Sequence, residues 1–238
     1  MANQFGALTD YWGLASADLV LVASSSTPVA KSVERAPDED GDFVEEASHG
    51  QTSDGTLADA SCTYALKSST LSLATLACGY FAAADTLVNR IINSIEASTS
   101  NDGWPQITVS GMINVVAVTA VSGKDYTYTL PAITLTGYKR AQLMGFTIGE
   151  NCRLTGSTLS ASIDVASQAN GIGVVVAHGM SGGVVTVTAE LVAIDGAASW
   201  TAPATWQETQ TPGVDEGQAA WHTSSASAET ILARDESE

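Results

Sequence analysis

The residues best suited to chemistry form the pentapeptide Gly-Met-Ser-Gly-Gly at 179–183, which satisfies G-x-S-x-G and follows His178. In hydrolases this pattern makes a strand-to-helix turn that exposes the serine hydroxyl at a helix N-terminus. Here valine-rich segments typical of strands flank the pentapeptide on both sides, so the pattern favours a glycine-rich turn in a hairpin. Ser181 as the nucleophile of an acyl hydrolase is the alternative, and the sequence predicts no enzyme and no catalytic residue.

An acidic run could offer oxygen ligands to a cation. Asp38, Asp40, Asp42, Glu45 and Glu46 lie within nine residues, and carboxylates are the ligands that Ca²⁺ prefers. The EF-hand pattern nevertheless fails, because a phenylalanine and a histidine occupy its sixth and twelfth positions. The run therefore predicts a solvated acidic loop, with weak and adventitious Ca²⁺ binding as the alternative.

The remaining metal-ligating and glycine-rich residues do not form a recognisable site. Cys62, Cys78 and Cys152 have unrelated spacings, which predicts buried free thiols rather than disulfides or a zinc site. The three histidines are isolated from one another. The pair Gly171 and Gly173 lacks the third glycine and the helix of a dinucleotide-binding loop. We expect no metal and no cofactor.

The net charge of the chain restricts the classes of partner that it can bind. The chain has 238 residues with 26 acids and 9 bases, a formal net charge of −17. Direct nucleic-acid binding needs clustered lysine and arginine, so this balance argues against it. The apolar run at 19–23 is too short to span a bilayer, and no export signal is evident, so we expect no membrane insertion.

Alternation of apolar and polar residues predicts the central elements. Residues 156–165 and 184–194 each alternate with a period of two, which places one face of each strand in a core. With the intervening run at 173–178 and two glycine-rich turns, they predict a three-stranded antiparallel meander. Further strands are expected near 61–77, 105–121 and 126–136.

Residues 80–98 are ambiguous. Leu87, Ile91 and Ile95 fit helical spacing, whereas Val88 to Glu96 also fits a strand that enters a turn at 101–103. We favour a helix near 80–90 followed by a strand to about Ser100. The sequence therefore predicts a mainly β protein. Residues 1–195 would form an antiparallel β-sandwich or barrel-like domain with one flanking α-helix and a long acidic loop at 26–60, followed by an extended C-terminal arm at 196–238.

Together these features resemble the tail tube (major tail) proteins of tailed bacteriophages. They are the aromatic N-terminal arm, the β-rich core, the helix near 80–90, the loop at 26–60 and the tail after 195. The resemblance implies a β-sandwich that joins around a homohexameric ring and stacks into a tube, with the loop and the arm contacting neighbours. It also implies other phage tail proteins as partners, synthesis in the host bacterial cytoplasm and a final location in the virion tail. A capsid decoration, baseplate or adhesin-like binding module is the alternative.

The tube hypothesis leads to two sets of candidate residues. An acidic wall would let DNA pass without specific binding, because carboxylates repel phosphate. The lumen candidates lie on polar strand faces or in turns: Asp164, Glu190, Glu96 and Asp125. The subunit-contact candidates are aromatic residues of the two terminal segments: Trp200, Trp206, Trp221, Tyr11 and Trp12.

Overall fold

The computed structural model describes residues 8–29, 33–37, 43–48, 51–52, 55–67, 69–118, 127–138, 140–170, 174–193, 199–210 and 222–231, with 33–37, 43–48, 51–52, 210 and 222–226 described by their backbone alone. These residues form β-strands and one short 3-10 helix, Leu73–Thr75. The strands are β1 (Leu19–Pro28), β2 (Val33–Pro37), β3 (Phe43–Ser48), β4 (Gln51–Thr52), β5 (Gly55–Thr56), β6 (Ala58–Leu66), β7 (Thr70–Ser72), β8 (Ala77–Phe81), β9 (Arg90–Ser100), β10 (Gln106–Ile113), β11 (Thr127–Thr129), β12 (Thr134–Thr136), β13 (Thr147–Ile148), β14 (Cys152–Ala169), β15 (Val175–Ala193), β16 (Trp200–Thr201), β17 (Gln207–Gln210) and β18 (His222–Ile231).

One large antiparallel sheet organises the fold. Its strands follow the order β1-β6-β10-β9-β14-β15-β18-β17, with β8 and β11 branching from β9. The path ends at β1 on one side and at β17 on the other, so the described strands of the sheet do not close into a barrel. The prediction of a mainly β, antiparallel fold is confirmed.

One face of the sheet is apolar, as its alternating sequence requires, and the other face carries a smaller buried cluster formed by Leu57, Ile91, Val115 and Val175. On β6 the side chains of Ala60, Cys62 and Tyr64 are buried, and Asp59 and Ser61 point to the other face. Burial of the apolar side chains is the main stabilising contribution, at about 25 cal/mol per Å².

A second, irregular layer covers the apolar face. It contains the short ladders β7–β12 and β13–β16. Its buried side chains pack against the sheet in one hydrophobic cluster that includes Leu73, Leu130, Leu135, Met144 and Phe146. The protein therefore has two layers, and its own chain seals the apolar face.

The N-terminal segment is fixed to this core by Asp10. One carboxylate oxygen of Asp10 accepts hydrogen bonds from the Tyr64 hydroxyl at 2.5 Å and the Gly13 amide at 2.9 Å, and the other accepts from the Ala15 amide at 2.7 Å. The neighbouring Trp12 is 3% exposed, and its indole N–H donates to the carbonyl of Val109 at 2.9 Å. This segment is thus part of the fold of its own chain.

The predicted helix near 80–90 is wrong. Residues 77–81 and 90–100 are strands, with a turn region between them. Ile91 and Ile92 are both buried because they belong to different hydrophobic clusters on opposite sides of β9. A register shift between Ser94 and Ile92 then changes the phase of the alternation, and a strand buried on both sides with a bulge produces spacing that resembles a helix.

The predicted meander is also wrong in one respect. Residues 175–193 form one continuous strand, β15, which pairs with β14 to make a long hairpin. Gly182 has φ +61° and lies where the register shifts between Ile163 and Asp164. The glycines at 179–183 therefore accommodate a bulge instead of a turn.

The acidic and C-terminal segments also contribute strands. Within 26–60, the ladders β2–β3 and β4–β5 are separate from the main sheet, and β6 starts at Ala58. The segment 196–238 supplies β18, which pairs with β15 along ten residues of the main sheet. Among the described residues, no helix has the length and apolarity needed to cross a bilayer.

Candidate functional site

The solvent-facing side of the main sheet is the most distinctive surface of the described residues. Residues directly opposite one another on neighbouring strands form rows across this polar face. The central row, from β6 to β18, runs Thr63, Thr108, Glu96, Ser160, Thr186 and Glu229. A second row, from β1 to β14, is Ser25, Ser61, Ser110, Ser94 and Ser162.

Hydroxyl groups on this face bond to each other across strands. Ser61 and Ser110 are joined at 3.0 Å between their Oγ atoms, and Thr63 and Thr108 at 3.1 Å between their Oγ1 atoms. Such cross-strand pairs add to the stability of the sheet. The side chains in these two rows are therefore hydroxyls, except for the carboxylates of Glu96 and Glu229.

Three of the four lumen candidates share the polar face. Glu96 lies directly opposite Ser160, and Asp164 lies four residues further along β14, on the same side of the pleat. Glu190 lies four residues after Thr186, which is also opposite Ser160. At about 3.4 Å per residue, Asp164 and Glu190 are each displaced by roughly 13 Å from the central row, in opposite directions. Asp125 lies outside the described residues.

Two further acids of the same face were missed by the sequence analysis. Glu229 lies opposite Thr186 in the central row, about 14 Å from Glu96 across three strand spacings. Asp59 lies on β6, four residues before Thr63, and is exposed. The alternation in 58–66 could have identified Asp59, whereas Glu229 required the knowledge that β18 joins this sheet.

Basic side chains are nearly absent from the described strands of this face. Arg153 lies opposite Val192, two residues from Glu190, at one end of the face. Arg90 occupies the opposite side of β9, where it is buried with its guanidinium 5.6 Å from the ring centroid of Phe81. Burial lowers the pKa of Arg90. The polar face therefore carries Asp59, Glu96, Asp164, Glu190 and Glu229 against one arginine.

The distal part of the β14–β15 hairpin extends beyond the sheet. Pairing of β14 with β9 ends at Ser162, and pairing of β15 with β18 begins at Val184. Between Ile163 and Ala169 the strand β14 pairs with β15 alone among the described residues, over roughly 23 Å. Asp164 lies at the base of this extension, just after the last β14 residue that pairs with β9.

The residues of the G-x-S-x-G pattern lie in this extension. Ser181 pairs with Asp164 in the middle of a strand pair, without the strand-to-helix turn that a serine nucleophile requires. Nδ1 of the nearby His178 and the hydroxyl of Ser167 form a hydrogen bond of 3.0 Å. Burial lowers the pKa of His178. The local geometry is that of an interstrand pair with no assembled triad.

The aromatic candidates pack within the chain. Trp12 is buried, and Tyr11, Trp200 and Trp206 are partly buried against the main core. Trp200 makes an edge-to-face contact with Phe146, with ring centroids 4.9 Å apart. Each of these side chains therefore has contacts in its own subunit, and contacts with other subunits stay a prediction. Trp221 lies outside the described residues.

Comparisons with protein-family models, curated proteins and solved structures find no match to this chain. In the described part of the chain, no group of three or more His, Cys, Asp or Glu residues has an arrangement that could hold a metal ion. The functional argument therefore depends on the geometry and charge of the polar face.

Proposed function

We propose that this protein is the structural subunit of a bacteriophage tail tube, which assembles as stacked hexameric rings and forms an acidic conduit for DNA. The observation that carries the proposal is the two-sided character of the main sheet. Its apolar face is sealed by the chain itself, and its other face presents hydroxyls and carboxylates to solvent outside the small hydrophobic cluster around Ile91.

The polar face has the chemistry that a DNA conduit needs. A wall rich in lysine or arginine would bind the phosphates and hold the DNA, whereas carboxylates repel it. With five acids and one arginine at the strand positions named above, each copy contributes −5 + 1 = −4, and six copies contribute 6 × (−4) = −24. Serine and threonine hydroxyls between the acids keep the wall hydrated.

The open edges of the sheet favour a ring. Because β1 and β17 are different edges, joining one copy to the next is a head-to-tail contact, and such contacts close into rings when the rotation allows. Both edge strands carry a register shift, which interrupts a continuous backbone ladder. Exposed apolar side chains, Val22 at one edge and Ile231 on β18 near the other, would then supply contact area.

The oligomeric state tests this proposal. Purified protein should form rings of 6 × 24.4 kDa = 146.4 kDa by native mass spectrometry, and rings or tubes about 100 Å wide by negative-stain microscopy. Monomers or trimers that persist at high concentration would contradict the tube and support the capsid-surface or adhesin-like alternative.

DNA passage tests the orientation of the polar face. In a tube assembled from the variant Glu96→Lys with Asp164→Lys, twelve new lysines would line the lumen, and DNA release should slow because they bind phosphate. The control is Asp102→Lys with Glu150→Lys, which makes the same charge change at exposed turn residues. Normal release through tubes of the first variant would show that the polar face does not line the lumen, even if the tube itself forms.

A further inference from the structure

A groove in the irregular layer has the properties of a small-molecule site. Its volume is about 520 Å³, within the range of roughly 300–1,000 Å³ that is usual for such sites. The apolar side chains of Ile133, Leu143 and Met144 line it, and Arg140 is the only charged residue among the described residues of the lining. Leu143 is 37% exposed, so apolar surface of the groove is open to solvent. The groove thus suits an apolar ligand that carries a negative charge.

The wall of the groove is held in place by contacts within the chain. The Gln142 side chain accepts a hydrogen bond from the Thr136 amide at 2.8 Å and donates one to the Thr136 carbonyl at 2.8 Å. Met144 has φ +47°, a left-handed conformation that residues other than glycine rarely adopt. Its side chain is buried in the main hydrophobic cluster, so core packing maintains this strained backbone. Strained residues concentrate at functional sites, and a preformed wall lowers the ordering cost of binding.

The polar backbone groups around the groove already have partners. Five amides of the lining donate hydrogen bonds of 2.7 to 3.1 Å within the chain, those of Ile133, Thr136, Arg140, Ala141 and Gln142. A bound peptide would need partners for its own amides and carbonyls, because a buried polar group without a hydrogen bond is unfavourable. An alkyl chain has no such groups. The lining therefore favours an alkyl chain over a peptide.

Arg140 supplies the positive charge at the rim. Its guanidinium lies 5.7 Å from the ring centroid of Tyr138, a cation–π contact that restricts its orientation. No acidic residue occurs among the described residues of the lining, so the groove itself offers this arginine no carboxylate. A guanidinium pairs with a carboxylate through two charge-assisted hydrogen bonds. A carboxylate is therefore the complementary head group for an alkyl chain in this groove.

We propose that this groove, called here the Arg140 groove, binds a free aliphatic monocarboxylate of medium chain length. The alkyl chain lies against Ile133, Leu143 and Met144, and the carboxylate pairs with Arg140. The groove belongs to the covered side of the main sheet, because Gln142 bonds to Thr99 and Ser157, which are buried on that side. The site is thus separate from the polar face, and the proposal does not rest on the tube.

Equilibrium dialysis with radiolabelled decanoate tests the proposal, because it measures binding in any state of assembly. We expect one saturable site per chain. With hexanoate, octanoate and decanoate as competitors, affinity should rise about two- to fourfold per methylene, because each methylene removes apolar surface from water. No saturable binding to the wild-type protein up to about 1 mM decanoate would overturn the proposal.

Two variants distinguish the groove from other apolar surface. Arg140→Gln should weaken decanoate binding about threefold or more and leave decanol binding unchanged, because it removes only the charge. Ala132→Trp should weaken the binding of both ligands at least about tenfold, because the indole fills the groove that Ala132 lines. Arg153→Gln is the matched control, since this exposed arginine borders a different groove of about 490 Å³, and it should bind decanoate like the wild type.

Thermal unfolding of each variant checks that the fold is retained. Decanoate binding that is unchanged in both Arg140→Gln and Ala132→Trp would be adsorption elsewhere, and the proposal would be wrong. Loss of binding in Ala132→Trp with no effect of Arg140→Gln would overturn the pairing of the carboxylate with Arg140. A blocked acidic peptide that displaces decanoate at a lower concentration than decanoate itself would show that the groove recognises a protein segment instead of a free carboxylate.

Discussion

Removing the Asp10 carboxylate should destabilise the protein by an amount that the structure allows us to estimate. In Asp10→Ala the hydroxyl of Tyr64, a residue with 0% exposure, loses its 2.5 Å acceptor. An unsatisfied buried hydroxyl costs about 1–3 kcal/mol. Freeing the amides of Gly13 and Ala15, as in the loss of a capping side chain, adds about 1 kcal/mol. The expected loss is therefore about 2–4 kcal/mol.

Thermal unfolding monitored by circular dichroism would measure this loss. For a chain of this length each kcal/mol lowers Tm by about 2–4 °C, so we expect a decrease of about 4–16 °C. In a Tyr64→Phe background, the same substitution should cost less by about 1 kcal/mol or more, because no hydroxyl is left without an acceptor. Equal costs in both backgrounds, or a Tm unchanged by Asp10→Ala, would refute the reasoning.

The contribution of Asp10 should also depend on pH. Burial raises its pKa, but the hydrogen bonds from the Tyr64 hydroxyl and from the amides of Ala15, Gly13 and Trp12 outweigh this effect and lower it below 3.8. A folded-state pKa below the unfolded-state value gives a stabilisation that is complete above the unfolded value and lost as pH falls through the folded value. The Tm difference between wild type and Asp10→Asn should therefore shrink below about pH 3.8. A difference that stays constant to pH 2 would contradict this assignment.

Three further predictions concern the core. Gly111→Ala should destabilise the protein by about 3 kcal/mol or more in urea unfolding, because the new Cβ would lie 2.0 Å from the Ile91 carbonyl oxygen. The control Gly103→Ala should be nearly neutral, because its Cβ would lie 3.5 Å from the nearest atom. Ser157→Ala should cost about 1–3 kcal/mol in the same assay, since it removes a buried hydroxyl that donates to the Gln142 carbonyl and contacts the Thr99 hydroxyl. Because burial raises the pKa of Cys78 to about 12 from 9.0, its iodoacetamide alkylation at pH 8 should be at least about a thousandfold slower in folded than in urea-unfolded protein. Comparable rates in the two states would show that this thiol is accessible.

The alternating segments of the sequence were the most predictable part of the fold. In 158–165, polar and apolar residues alternate without interruption, and the structure contains the expected strand with one buried face. The same kind of alternation placed Asp164 and Glu190 on polar strand positions, and strand pairing brings both to the face that carries Glu96. The local pattern suffices here because the polarity of each residue in an alternating strand indicates the face of the sheet on which its side chain lies.

The features that the sequence did not predict depend on contacts between residues that are far apart in the sequence. Burial of Ile91 and Ile92 on opposite sides of β9 requires two separate hydrophobic clusters, which no local pattern displays. The role of Glu229 depends on its pairing with Thr186 of β15, which lies 43 residues earlier in the sequence. In the irregular layer, the Gln142 amide likewise donates a hydrogen bond to Thr99 and the Gln142 carbonyl accepts one from Ser157, so the shape of this layer could not be inferred from residues 132–145 alone.

The position of β18 has a consequence for the order of folding during synthesis. Strands β6, β9 and β10 are all made before β14, so this part of the sheet can pair while later residues are still being translated. The strand β15, by contrast, keeps an unpaired edge until residues 222–231 emerge. A nascent chain therefore exposes a strand edge that could pair with another nascent chain on the same messenger RNA. Arrival of β18 covers that edge, so a chain becomes protected from this premature pairing only after its C-terminal strand has been made.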